Sequence, residues 1–464
     1  MNIKTKQAAM MACMVWSAGL SADAQAVGIS LMEISVSGMG NAYAGSTVEA
    51  ADASVLFYNP AALTRFKKAE QSVGAVLIQV NAGFQDGPEG SNGAPASITY
   101  ERDPSYGFAP SNFFVFPVSE RLVFGAGISG SAGLILRYPN DYPGRFQSKS
   151  TDIKVTRVNL AAAYKLTPQW SIGGNFSVER FFQSIRTDVN FAEAAAVEPG
   201  LNGLAGMALT NPLIGNLFFD STGSARSAPL KLRLFGTQIN AQVGTLYEFG
   251  ERTRLGFSFR PKTKFNLKGK YTFQSPPPEL LVAAAPELLS DGEVTQTIVM
   301  PSEARASVFH KMTKKLDVMG DITRYDYSGI RNVEYKRADG STLKNYVQNL
   351  RAGNRYAVGM NYRLYERLTL RTGLSHSEAT SEDRFRVTAL PDQARNSVHL
   401  GVGMQLSNKE WLDVAYQYTV FDDAKIQERT DIQGVQGEKS FDGDLNGSVF
   451  TQVNYFGVHY RALF

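Results

Sequence analysis

Counted back from Phe464, the end of the chain divides into two sets of residues. Phe464, Ala462, Tyr460, Val458 and Phe456 share one parity, and Leu463, Arg461, His459, Gly457 and Tyr455 share the other. A period of two belongs to a β-strand, whose successive side chains point to opposite faces. The same alternation recurs upstream. Val398, Leu400, Val402, Met404 and Leu406 interleave with His399, Gly401, Gly403, Gln405 and Ser407. Tyr356, Val358, Met360, Tyr362 and Leu364 interleave with Ala357, Gly359, Asn361 and Arg363. Leu412, Val414, Tyr416, Tyr418 and Val420 interleave with Asp413, Ala415, Gln417 and Thr419. Strands that are apolar on one face and small or polar on the other suit two architectures. A soluble sandwich turns the apolar faces towards each other. A membrane barrel turns them to lipid and encloses a polar lumen.

The N-terminus and the connections favour the barrel. Lys4 and Lys6 precede an apolar run over residues 8–20, and Ala24-Gln25-Ala26 is an A-x-A cleavage site. Residues 1–26 are therefore expected to be a signal peptide, with the mature chain starting at Val27. The run is too short to span a bilayer as a helix, and no later stretch of about 18 apolar residues exists. Cys13, inside that run, is the sole cysteine, so disulfide and thiol chemistry are excluded from the exported chain. A formal net charge of +4 gives no basis for nucleic-acid binding. The mean hydropathy of −0.19 suits strands that give half their side chains to a lumen.

Short connections near residues 118–121, 167–169, 250–253, 313–315, 365–367 and 407–409 alternate with long, irregular ones. Outer-membrane barrels have short periplasmic turns and long extracellular loops. With both termini periplasmic, six such turns predict fourteen strands. The expected fold is all-β: a 14-stranded antiparallel transmembrane outer-membrane β-barrel over residues 67–464, in contact with outer-membrane lipid and lipopolysaccharide. A closed barrel has no free edge, so a monomer is expected. The terminal Phe464 is the expected handle for the barrel-assembly machinery.

A lumen enclosed by fourteen strands is too wide for wall side chains to fill. Residues 27–66 are rich in Gly, Ala and Ser without sustained alternation, and are expected to form an N-terminal hatch that plugs it. Two long connections carry apolar helical stretches, near residues 191–219 and 280–289, the second entered through Pro276, Pro277 and Pro278. Exposed apolar helices mark a binding surface. Leu204, Met207, Leu213, Leu217, Phe218 and Phe219 are its candidate groove; a lid in which the helices pack on each other is the alternative. The third strand, over residues 121–136, carries Gly125, Gly127, Gly130 and Gly133. Glycine weakens strand pairing and permits bulges, which allows either close approach of the hatch or a lateral gap. Arg157 and Arg371 have lumen parity and Arg186 lies near an extracellular strand end. These three are the candidate contacts for a ligand carboxylate, which needs a cationic partner in an apolar pocket.

Other motifs lead nowhere. Gly125 to Gly130 matches G-x-G-x-x-G, but strand residues Leu134-Ile135-Leu136 and then Pro139 follow, where a dinucleotide site needs a helix. His310, His376, His399 and His459 are scattered, and no nucleophile elbow occurs. Neither catalytic residues nor a cofactor or metal is expected.

The N-terminal segment carries Ser35-Val36-Ser37-Gly38-Met39-Gly40-Asn41-Ala42-Tyr43-Ala44-Gly45, then Asp52-Ala53-Ser54, then Tyr58-Asn59-Pro60-Ala61-Ala62-Leu63. It resembles the hatch of the FadL family of outer-membrane channels for long-chain fatty acids and hydrocarbons. Phe259-Arg260-Pro261-Lys262-Thr263-Lys264-Phe265, Leu390-Pro391-Asp392-Gln393-Ala394-Arg395 and residues 411–418 are similar to later strands of that family. The resemblance implies a path. Ligand settles between loop helices, passes to a deeper pocket, and leaves sideways at a kink in the third strand after the hatch rearranges. It also places Asn59-Pro60-Ala61 against that kinked strand. The expected function is passive import of hydrophobic molecules, long-chain fatty acids first, with aromatic or aliphatic hydrocarbons as the alternative. A general porin and an outer-membrane lipase are the alternatives of another class.

Overall fold

The computed structural model describes residues 32–87, 97–197, 199–208, 210–221, 225–428 and 445–464. The expected signal peptide, and residues 27–31 of the expected hatch, lie outside the described residues. Fourteen wall strands follow in chain order. They are β1 (Glu70–Asp86), β2 (Ser105–Pro117), β3 (Leu122–Arg137), β4 (Ser150–Lys165), β5 (Trp170–Asn190) and β6 (Ser227–Phe249). Next come β7 (Thr253–Arg260, continued as Thr263–Phe273), β8 (Gly292–Met300, continued as Ser302–Lys311) and β9 (Leu316–Asp326). The last are β10 (Ala352–Tyr365), β11 (Leu368–Ser377), β12 (Arg395–Ser407), β13 (Glu410–Phe421) and β14 (Leu445–Leu463).

Each strand pairs antiparallel with its sequence neighbours, and β1 closes the barrel on β14 from Glu70 opposite Leu463 to Asp86 opposite Gly447. The six expected turns join strands at one end, and the seven long connections leave the other. The turn end is therefore the periplasmic one. Two breaks in the wall face each other. Pro261 interrupts β7 and Pro301 interrupts β8, where Met300 pairs with Thr263 on one side and Glu303 with Arg260 on the other. Proline has no amide to give the ladder, so both strands stop and restart there. An unanticipated hairpin, Asn332–Arg337 and Thr342–Val347, extends the sheet beyond β8, pairing Arg337 with Val294.

The alternation sorts as a membrane barrel requires. Leu160, Phe176, Val243, Val358, Leu400 and Val458 are exposed on the outer wall, while their neighbours of opposite parity are buried or half-buried. Inside, two apolar clusters stack along the barrel axis. The periplasmic one is built by residues 32–66 packed on wall positions such as Ile78, Phe113, Leu246 and Tyr455. The extracellular one is lined by Leu134, Phe181, Leu234, Phe265, Tyr335 and Leu390 among others.

Candidate functional site

Residues 32–66 fill the periplasmic half of the lumen by short turns. Ser35 caps the helix Val36–Gly40, its hydroxyl accepting from the Gly38 amide at 3.2 Å. Asn59 caps the 3-10 turn Pro60–Arg65: Oδ1 accepts from the Ala61 amide at 3.0 Å, and Pro60 occupies a position where no amide is needed. The same side chain joins the segment to itself and to the wall. Its Nδ2 donates to the Thr47 carbonyl at 2.8 Å and to the Thr245 carbonyl of β6 at 3.0 Å. The wall meets the segment with glycine. A Cβ on Gly244 would lie 1.9 Å from Asn59 Oδ1, one on Gly173 2.4 Å from the Ala61 nitrogen, and one on Gly359 2.2 Å from the Asn41 carbonyl oxygen. Just after Asn41, Ala42 and Tyr43 adopt left-handed backbone (φ 61° and 55°), a conformation that costs a side-chain-bearing residue about 1–2 kcal/mol.

Charge also holds the segment. Asp52 accepts from the hydroxyl of Ser37 and lies 3.9 Å from His459 of β14, which lies 3.7 Å from Asp413 of β13; Arg371 of β11 pairs with Asp413 at 2.5 Å. Burial opposes ionisation of Asp52, but the adjacent His459 and the hydroxyls of Ser37 and Ser54 outweigh it and hold the carboxyl below its usual range. Glu49 accepts from the amides of Asn41 (2.9 Å) and Asn361 (2.6 Å). Burial pushes its carboxyl up, against the pull of Arg371 and those amides.

The third strand is not the main wall contact of Asn59-Pro60-Ala61. The triad and the turn it opens pack chiefly on β4, β5 and β6. Contact with β3 passes to their neighbours, Leu56 and Leu63, which crowd Gly125. That strand has the other unusual geometry. β3 pairs with β2 only from Val123 opposite Pro117 to Ser129 opposite Ser111. Farther up, β2 remains on β1, with Ser105 opposite Val80, and β3 remains on β4 past a bulge between Gly130 and Ala132. Residues 130–137 thus have no partner on the β2 side among the described residues. Residues 130–136 are buried on both parities, so the strand end turns inward and sets Leu134 and Leu136 in the extracellular cluster. Gly130 and Gly133 lie in this inturned part. Gly127 lies below it, where a Cβ would stand 2.1 Å from the Phe113 ring.

The groove candidates separate. Phe218 is buried with Leu201, Leu281 and Leu289, so the two loops pack on each other; Leu204 and Leu217 are partly covered by the same cluster. Met207, Leu213 and Phe219 remain exposed, Leu213 at 79%. The three arginines are not brought together. Arg186 faces outward and is exposed. Arg371 is committed to Asp413 near the periplasmic end. Arg157 is buried at mid-lumen, paired with Glu179 at 2.6 Å and set over the Phe57 ring at 4.7 Å. It opens a charge ladder that the sequence reading missed. Glu179 lies 3.9 Å from Arg260, Arg260 pairs with Glu303 at 3.0 Å, and Glu303 pairs with Arg305. Arg305 stands over the Tyr58 ring at 5.4 Å, so the ladder rests on the N-terminal segment.

The sequence model of the family described as "Outer membrane protein transport protein (OMPP1/FadL/TodX)" matches residues 17–464. The chain is 26% identical over 426 residues to the long-chain fatty acid transport protein of Salmonella typhi, covering 88% of this chain and 91% of that one. It is 28% identical over 431 residues to outer membrane protein P1 of Haemophilus influenzae, covering 89% and 90%. Among solved structures, a Pseudomonas aeruginosa FadL homologue superposes with a TM-score of 0.80 at 19% identity, over 94% of this chain and all of that one. The toluene transporter TbuX of Ralstonia pickettii superposes with a TM-score of 0.58 at 18% identity, over 89% and 94%. At such identities these two carry the fold alone.

Proposed function

The chain belongs to the OMPP1/FadL/TodX family of outer-membrane transport proteins, and on that premise we propose that it imports long-chain fatty acids across the outer membrane of a Gram-negative bacterium. In this reading, residues 32–66 act as the hatch. Ligand enters through the loop helices, dwells in the extracellular apolar cluster and leaves sideways between β2 and β3. The observation that carries the reading is the wall separation above Ser129, with the freed end of β3 turned into that apolar cluster. In this reading the separation would join the apolar lumen cluster to the lipid side of the wall. A chain moving along that path exchanges one burial for another at roughly 25 cal/mol per Å² on both sides, so no single site has to hold it tightly. The packing of residues 32–66 in the periplasmic half of the lumen supports an exit through the wall over a straight route to the periplasm.

One observation favours a neutral ligand, an aromatic or aliphatic hydrocarbon. Both lumen arginines proposed to receive a carboxylate, Arg157 and Arg371, are already paired with acids. The two readings are separated by uptake of oleate and of toluene into a deletion strain with and without the gene, together with mass spectrometry of whatever co-purifies. Unchanged uptake of both compounds would defeat the proposal. A large, steady ion conductance in planar bilayers would replace it with a general porin.

A further inference from the structure

The outer wall changes character around its circumference. Over most of it, the outward residues near the extracellular end are neutral, such as Gln79 and Asn81 on β1 and Gln452 and Asn454 on β14. On β4 to β7 they are cationic. Outward positions on successive rungs place Arg186 beside Lys231, Arg233 beside Lys270, and Lys268 beside Phe235, with Arg180 one rung below Phe182. Adjacent strands stand about 4.8 Å apart, so these six cations, on three strands, share a patch of about 10 by 20 Å. None of the six makes an ion pair among the described residues. Among the same residues, only two acids share these rungs: Asp152, 3.4 Å from Arg137 and near enough to act on Arg186 and Lys231, and Glu293, opposite Lys270.

Like charges on adjacent strands destabilise a sheet, so a patch this one-sided implies an anionic occupant. Its place on the wall sets the occupant's shape. Phe182 and Phe235 stack at 6.0 Å between Lys268 and Arg180 in its lower part, with the Lys154 ammonium 5.8 Å from the Phe182 ring. Below them the outward wall is apolar, with Phe176, Val178, Ile239 and Val243 exposed. Beside the patch, a cavity of about 540 Å³ opens between β7, β8 and the hairpin, with Lys264, Lys268 and Lys336 in its lining. We propose that this face docks the phosphorylated glycolipid of the outer leaflet. Its phosphates would sit on the arginines and lysines, and its acyl chains would lie on the apolar wall beneath. Guanidinium pairs phosphate in bidentate fashion, and aromatic side chains suit the level where headgroup meets hydrocarbon. The inference depends on the orientation of the barrel and not on what it transports.

The test is native mass spectrometry of the full-length protein in detergent, titrated with bis-phosphorylated lipid A, dephosphorylated lipid A or oleate. Four samples are compared at matched heat-modifiable mobility. They are the parent, the variant Arg186→Gln/Lys231→Gln/Arg233→Gln/Lys270→Gln, a control of equal charge loss at the periplasmic end (Lys67→Gln/Lys68→Gln/Lys314→Gln/Lys315→Gln), and the parent in high salt. Parent and control should retain phosphorylated lipid A at least about tenfold more tightly than the patch variant, and salt should weaken retention by the parent. Dephosphorylated lipid A should bind all four alike. Parent-level retention by the patch variant would overturn the proposal. So would retention by the parent that is indifferent to phosphate or salt, or displacement of lipid A by oleate.

Discussion

Asn59 is the residue at which the N-terminal segment and the wall can be uncoupled by one substitution. Its side chain is fully buried and makes three hydrogen bonds, accepting from Ala61 and donating to the Thr47 and Thr245 carbonyls. A hydrogen bond contributes about 1 kcal/mol net, and more when its buried partner is stranded. Asn59→Ala should therefore cost the seated segment about 2–4 kcal/mol, which is about 30- to 700-fold in a local opening equilibrium. The barrel ladder is untouched, so the loss should be confined. Hydrogen–deuterium exchange of the detergent-solubilised protein should show faster exchange over residues 32–66 with wall strands unchanged. Asn59→Ser keeps a cap acceptor but cannot reach the wall, and should recover only about 1 kcal/mol. Exchange within twofold of the parent in Asn59→Ala would refute the reasoning. Complete recovery in Asn59→Ser would show that the bond to Thr245 contributes nothing.

Further outcomes follow from the same geometry. Gly127→Leu drives a side chain into the Phe113 ring and should cut uptake of hydrophobic substrate while the barrel keeps its heat-modifiable mobility; uptake assays on the variant strain check it. Arg157→Ala leaves Glu179 buried with only the more distant Arg260, and should destabilise by about 3–5 kcal/mol, whereas Arg157→Met/Glu179→Met should be near neutral; thermal unfolding in detergent compares them. The raised carboxyl of Glu49 favours the seated segment at and below the usual glutamate range, a contribution lost as pH rises through the raised value. Protection of residues 32–66, corrected for intrinsic exchange, should therefore be greater at about pH 5 than at about pH 8, and Glu49→Gln should reduce the difference. Asp52, whose carboxyl is held low, stays ionised through that window and should add no slope.

The strand count and the lumen parity were legible in the chain because both are local. A period of two names the face of every wall residue, and two- to four-residue turns mark the periplasmic end. Features that depend on the neighbour across the sheet were not. Glu179, Arg260, Glu303 and Arg305 had readable lumen parity, but their ladder exists only because registers set by closure bring four strands to one level. The glycines of β3 announced weak pairing without saying where β2 would let go, since that point is fixed by how far β2 follows β1. The interleaved glycines of β10 to β12 were visible as a small lumen face. That Gly359 and Gly373 are seats for the Asn41 backbone required the segment in place. The position of Asn59-Pro60-Ala61 on β4 to β6 was missed because a tight turn in the sequence carries no address on the wall.

The way the segment is held bears on whether it can serve as a hatch. A plug fixed by interdigitated apolar side chains would lose about 1.5–3 kcal/mol per large residue withdrawn from the wall. Here, beside the apolar cluster the segment shares with the wall, part of its attachment is polar and short-range. Backbone lies against bare glycine at Gly173 and Gly359, the Asn59 side chain lies against Gly244, and hydrogen bonds run to Thr245, to Asn361 and from Arg355 to the Ala42 carbonyl. Glycine lets the contact be close without adding a side chain to extract. Bonds of about 1 kcal/mol can be exchanged for water one at a time. The left-handed Ala42 and Tyr43 lower the cost of departure further, because their strain is released on leaving. Substitutions that enlarge the wall glycines should therefore unseat the segment without weakening the barrel, and apolar truncations such as Leu63→Ala should act mainly through Gly125 on β3, the strand against which Leu63 rests.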